Sequence, residues 1–524
     1  MKDSTNQLGT ISKVLTILAV TIGTLILGVC AFGAFTKTTY ADNMAAQMML
    51  EKADNIMLTS LLTGVVVISI VLLVLFLSSE KNINKMFIAG IVWYIVAGAI
   101  MIFFGRSVPG ADALTVYRMG EMFANNDLSF INPTESYLSY YPQQIGLTTF
   151  LGMLIKILKI LPYTFAYYHA IKILYVLLNC ASFVFGCLLI RELQNDNKVT
   201  MTYIILSMIN LPFIMYSSFI YGEIPSIALI LGAIYFFTKY IKEKGIAPLN
   251  MVLSLAMFVA AVWIRKNSLI FIIAVLIVCV LVFLESKRAD VLLFAIICGA
   301  CCFLVIPLTL KMYENKTGSQ VNDGVTATSY FAMAMQEGGR GPGWYNGFNY
   351  DTYSDAGMDA AKANEVSKAA IKERTEYFKS NPSECYKFYK GKILTQWADP
   401  TYASCQATYA EYGGRSKFFV SVYEGNLYNA YIEICNIYQN LIYLGALLWA
   451  VAFLVSALKG KKRDLQIDSL LLIVVTGGFL FHIIWEANSR YIFPYAQMLL
   501  IYSAISIGTL AGKMSMGSKG SDRD

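Results

Sequence analysis

Long apolar runs without a single charge set the limits on what this chain can become. Residues 57–77, 86–104 and 269–284 carry no charged side chain, and they meet or approach the roughly 20 residues a helix needs to cross hydrocarbon. In hydrocarbon the backbone must bond to itself, which leaves helices or a closed barrel. The short alternating segments of a membrane barrel are absent. Composition agrees: 57% of residues are hydrophobic and 14% charged, against roughly 25% charged in an ordinary soluble domain. The expected fold is all-α and polytopic.

The net charge of +7 does not point to nucleic acid. The basic residues fall in short clusters between apolar runs, at 81–85, 191–198, 239–244, 287–288 and 459–463. The positive-inside rule places such clusters on the cytoplasmic side. About 12 spans follow, near 11–35, 57–78, 86–104, 163–190, 199–220, 223–238, 248–264, 268–285, 291–311, 437–458, 468–486 and 491–511. Residues 145–160 would break the parity if they crossed. That run is short, carries Lys156 and Lys159 and ends at Leu161-Pro162, so it is expected as a re-entrant or interface-lying helix with both lysines at the headgroups. Both termini are then cytoplasmic. The first run is long for a signal peptide and lacks a clear cleavage site, which makes it an anchor.

Two segments remain outside, 105–145 and the longer 311–433. The second is long enough to fold into a small module. It holds a Gly-rich stretch at 338–343, a helical pattern at 360–378 closed by Asn381-Pro382, and a second helical run toward Trp397. The Gly-rich stretch has no Lys-Ser/Thr ending and is expected as a loop rather than a P-loop. The expected organisation is an N-terminal two-helix extension (1–85), a transmembrane core (86–311), an outer module (312–436) and C-terminal helices with a tail (437–524). Seven of the ten cysteines lie in apolar runs. A disulfide among Cys385, Cys405 and Cys435 requires an oxidising compartment. No cysteine or histidine spacing indicates a metal.

The outer segments collect polar residues that an anchor has no use for. Asp112 follows Pro109-Gly110 and opens an amphipathic run through Tyr117, Arg118 and Glu121. A helix cap and a catalytic base are equally consistent with that spacing. Glu223, in the turn Tyr221-Gly222-Glu223, is read first as a residue that keeps a hairpin wet. Arg265 and Lys266 put two cations on the outer side, against the charge trend. Snorkelling to headgroups is the plain reading, and a phosphate site is the favoured one, because Arg and Lys bind phosphate through charge-assisted hydrogen bonds. The last outer turn carries His482, Glu486, Asn488, Arg490 and Tyr491. A continuing helix would put His482, Glu486 and Arg490 on one face, and a Glu486–Arg490 pair would merely fix the turn.

At these residues the sequence resembles the GT-C superfamily of polyprenyl-phosphate-sugar glycosyltransferases, nearest in pattern to bacterial relatives of the protein O-mannosyltransferases. Asp112 with Tyr117, then Tyr140-Tyr141-Pro142-Gln143-Gln144, then Glu223, and finally the run from Asn488 through Arg490 and Tyr491 to Pro494 carry the likeness. The resemblance implies an inverting transfer with Asp112 as general base. It implies a lipid-linked sugar donor, and by position Arg265, Lys266 and Arg490, with Tyr491, are the candidates to meet its phosphate. Tyr117, Arg118, Glu121, Gln143, Glu223, His482, Glu486 and Asn488 are expected to support the site or the acceptor. Ala113 stands where many relatives have a second acid, and Tyr140-Tyr141-Pro142 stands where protein-mannosylating members have His-Pro-Pro. Neither mannose nor a protein acceptor is therefore implied over a glycan or lipid.

The expectation is a cell-membrane glycosyltransferase acting on the outer face, with no nucleotide site and no cofactor indicated. A transporter or flippase for lipid-linked sugars is the competing reading. It would need polar residues at mid-span depth, whereas the ionisable residues here gather at one face.

Overall fold

The computed structural model describes residues 2–42, 44, 47–134, 136–161, 166–243, 248–460 and 464–521, with side chains from 7 to 515. Pro162, Lys244 and the basic residues at 461–463 lie outside the described residues. Helices dominate, as a chain of apolar runs requires. Ten helices among the described residues are long and apolar enough to cross a membrane: Gln7–Thr36, Ile56–Leu77, Glu80–Gly105, Tyr167–Leu193, Glu223–Lys242, Lys266–Ser286, Ala289–Thr317, Asn426–Leu458, Leu465–Ile484 and Ser489–Ser515. The chain is a multi-pass helical membrane protein.

The count of 12 is not reproduced. The expected span at 199–220 is two helices, Asn197–Met208 and Leu211–Ser218, bent by 58° at a break. Asn210 makes the break, because its side-chain oxygen accepts from the Phe213 amide and starts a new helix. Counting that pair as one span gives 11. The remaining run, Pro248–Ile264, is helical but too short for the same test.

Residues 145–160 form a helix, Ile145–Ile160, as expected of a short amphipathic run. It lies beside the helix Ala111–Ala124 and runs the same way, since Gly120 meets Gly152 while Asn126, just past the helix, meets Lys156. Both lysines are exposed and reach the end of the neighbouring helix. Lys156 Nζ donates to Asn126 Oδ1 at 2.9 Å, and Lys159 bonds the Asn125 side chain. Gly146 brings this helix against the last turn of Pro248–Ile264. A Cβ there would lie 1.7 Å from the Trp263 carbonyl oxygen, so only glycine fits.

The first two spans are joined by an antiparallel hairpin of β1 (Lys37–Ala41) and β2 (Met49–Ala53), which the sequence reading did not anticipate. The first span packs on the helices Asn426–Leu458, Leu269–Ser286 and Leu465–Ile484. In the long segment, helices Ala360–Ser380 and Pro382–Trp397 form as expected, with Pro382 in the first turn where its missing amide costs nothing. They close a small core of Met335, Phe378 and Phe388. All ten cysteines are free, so the conditional disulfide among Cys385, Cys405 and Cys435 does not form.

Candidate functional site

A cavity of about 780 Å³ opens at the end of the bundle that carries 105–145 and the long segment. Its wall brings together Asp112, Gln143, Arg265, Lys266, Glu486, Asn488, Arg490 and Tyr491 from four separate stretches of chain. Eight expected site residues thus share one space.

Asp112 is not a helix cap. Gly110 occupies the cap position of Ala111–Ala124 and makes no side-chain bond, while Asp112 is the second helical residue, exposed to the cavity. A carboxylate in the first turn is favoured by the helix dipole, and its oxygens stay available.

Glu223 is not a wetted turn residue. It is fully buried, paired with the Arg265 guanidinium, and 3.5 Å from Arg490 Nε. Both Glu223 oxygens lack a bond of hydrogen-bonding geometry, so charge holds the cluster. Glu223 lies behind the cavity wall and fixes two of the cations that line it. Gly222 allows this, since its missing Cβ would stand 3.2 Å from Arg265 Cβ. Arg490 also lies near the rings of Phe219, Tyr221 and Tyr491, at 5.4–5.5 Å from their centroids. Lys266 differs: it is exposed and, among the described residues, has no carboxylate partner.

The expected Glu486–Arg490 pair is absent because the helix ends. Leu465–Ile484 stops at Trp485, which is extended, and Asn488 Oδ1 accepts the Arg490 amide to start the next helix. Glu486 instead accepts from Tyr491 Oη at 3.2 Å. Burial raises its carboxyl to about 7, with Asp112 pushing the same way and Arg490 opposing. His482 faces Tyr495 and Tyr491 within the bundle and does not line the cavity. Tyr117 packs edge-on to Tyr168, Arg118 is exposed on the outside of the helix, and Glu121 lies near Tyr117, so this trio is away from the cavity.

Several residues of the site escaped the sequence reading. Tyr137, Tyr330 and Tyr345 line the cavity beside Tyr141 and Tyr221, and Tyr330 stacks on Trp485 at 4.8 Å. The number of tyrosines (34 in the chain) was a signal that could have been followed. The Gly-rich loop, expected only as a loop, contributes Arg340 and Trp344, and the Ala487 amide bonds the Gly343 carbonyl at 2.8 Å. Asp399, fully buried, accepts from Ser489 Oγ, Thr401 and the Ala403 amide, and so anchors the start of the closing helix. Among the described residues no three His, Cys, Asp or Glu side chains gather as metal ligands would.

Fold and site together define a polytopic helical membrane protein with an aromatic, cation-bearing cavity at one end. No family model matches the sequence, and no curated protein matches it. Among solved structures the chain is similar to the archaeal oligosaccharyltransferase AglB from Archaeoglobus fulgidus, in complex with an inhibitory peptide and a dolichol-phosphate. The identity is 14% and the TM-score 0.46, over 85% of this chain and 52% of that one. It is also similar to ArnT from Cupriavidus metallidurans bound to undecaprenyl phosphate, at 12% identity and a TM-score of 0.32, over 82% of this chain and 78% of that one. The chain spans about half the length of the archaeal structure.

Proposed function

We propose that this protein is an inverting glycosyltransferase that moves a sugar from a polyprenyl-phosphate carrier to a cell-envelope acceptor on the extracytoplasmic face. One observation carries the reading. The cavity joins an available carboxylate, Asp112, to the cations Arg265, Lys266 and Arg490, and it reaches Ile273 and Phe303, about half exposed on membrane-spanning helices. A substrate with a lipid tail, a phosphate and a sugar would need that combination.

Asp112 takes the proton of the acceptor hydroxyl as its oxygen attacks the anomeric carbon. The bond from that carbon to the phosphate oxygen breaks, and the phosphate leaves with the electron pair. Lys266, Arg265 and Arg490 meet the charge that grows on it. Tyr491 and the aromatic wall border the sugar. Residues 86–311 form the working core, 105–145 the catalytic loop, 312–436 the outer cover and 1–85 an added extension. Both termini are cytoplasmic.

Purified protein incubated with a panel of polyprenyl-phosphate sugars and envelope acceptors should release polyprenyl phosphate with at least one pair. No release from any pair, with the lipid bound, would favour a carrier that flips the lipid without chemistry.

A further inference from the structure

The hairpin between the first two spans reaches the cavity. Met44 and Gln47, in its connection, line the wall. Gln47 has a φ of 57°, which turns the chain back into β2. Two residues on, the Met49 amide donates to the Arg340 carbonyl at 2.9 Å. That bond fixes the Gly-rich loop at the one residue of 338–343 that carries a charge. The loop is tied again at Gly343, whose carbonyl accepts from Ala487 and whose amide donates to Gln336.

Arg340 faces the cavity with its guanidinium 5.6 Å from the Tyr345 ring. Among the described residues it has no carboxylate within ion-pair distance, whereas Arg265 and Arg490 share Glu223. Arg340 hangs from the Gly-rich loop, which the Ala487 amide binds at Gly343, whereas Arg265 and Arg490 are held by Glu223. A half-buried guanidinium held by a fixed backbone offers a planar fork suited to a phosphate or a carboxylate. Arg265, Lys266 and Arg490 already answer the donor phosphate, so an anion at Arg340 belongs to the other substrate.

We propose that Arg340, positioned by the N-terminal hairpin, recognises an anionic group, phosphate or carboxylate, on the acceptor. This rests on the glycosyl transfer proposed above and names the acceptor class. The test uses full-length protein in nanodiscs with four probes: a glycerol-phosphate oligomer, an oligogalacturonate, a neutral maltooligosaccharide of matched length, and undecaprenyl phosphate. Wild type should bind one or both anionic oligomers in preference to the neutral one, and the better of the two identifies the anion. Arg340→Gln should weaken that binding by about ten-fold, the loss of one charge-assisted contact. Arg340→Lys should lose less, and both variants should hold undecaprenyl phosphate as wild type does, which also shows that they are folded. Equal binding of the neutral oligomer would overturn the proposal. So would unchanged anionic affinity in Arg340→Gln, or a parallel loss of undecaprenyl phosphate, which would make Arg340 a donor residue. Wild type that fails to bind undecaprenyl phosphate would remove the glycosyl-transfer reading first, and this inference with it.

Discussion

Glu223 and Arg490 meet 3.5 Å apart, and the same Glu223 carboxylate holds Arg265. One buried charge therefore joins the turn before Glu223–Lys242, the turn after Pro248–Ile264 and the start of the closing helix. Breaking a buried ion pair from one side typically costs about 3–5 kcal/mol, because the other charge is left uncompensated. Glu223→Gln leaves two such charges. The expected outcome is a lower thermal midpoint that undecaprenyl phosphate raises more in the variant than in wild type, since the phosphate replaces the missing charge. An unchanged midpoint would mean the cluster does not bind these turns together.

Lys266, like Arg340, is a cavity cation with no carboxylate partner among the described residues. Replacing Arg265 and Lys266 together with Gln should weaken undecaprenyl-phosphate binding, and Lys266→Gln alone should account for much of the loss while leaving the midpoint near wild type. Equilibrium binding in nanodiscs reads both. Unchanged affinity in the folded double variant would leave Lys266 to headgroup snorkelling and Arg265 to its pair with Glu223 alone.

The pH profile of stability should carry two opposed limbs. Burial holds the Glu486 carboxyl at about 7 against an ordinary 4.5. Between those values the native state keeps a proton that the unfolded chain has released, so stability falls as pH rises and is level above about 7. Lys392, fully buried with Nζ donating to the Ala334 carbonyl, is held at about 7 against an ordinary 10.5, burial again being the main cause. Across that window the unfolded chain binds more protons, and stability rises with pH. Thermal midpoints from pH 4.5 to 10 should lose the acid limb in Glu486→Gln and the alkaline limb in Lys392→Met. Limbs that persist in both variants would place the titration elsewhere.

Much of this was legible because apolar runs and local turn chemistry are local signals. Most of the spans, the short helix at 145–160, the pair of helices meeting at Asn381-Pro382 and the gathering of Asp112, Arg265, Lys266 and Arg490 follow from residue type and from the order of apolar and polar runs. The partners were not legible. That Glu223 would pair with Arg490 rather than face water depends on where two distant turns come to rest, and no spacing encodes it. The Glu486–Arg490 expectation failed because it assumed a continuous helix, and Asn488 restarts the chain there. Lys392, in an expected helical run, and Asp399 and the hairpin, in connecting segments, looked like ordinary polar surface positions. Their role comes from burial, which a polar sequence context hides.

The side assignment has its own test. In a cysteine-free background, single cysteines at the exposed positions Ser129 and Lys368 should react with an impermeant thiol reagent added to intact cells, and one at the exposed Asp464 should not. Labelling at Asp464 in sealed cells would invert the arrangement.

Asp112 is the one carboxylate on which the proposed transfer depends. Asp112→Asn keeps the size of the side chain and removes the proton acceptor, at a position that does not cap its helix. General-base contributions are typically on the order of 10²–10⁴-fold in rate. With a donor and acceptor pair that wild type turns over, release of polyprenyl phosphate by the purified variant should fall by that order while undecaprenyl-phosphate affinity and thermal midpoint stay near wild type. A folded variant that binds the lipid and still turns over within a few-fold of wild type would contradict the account.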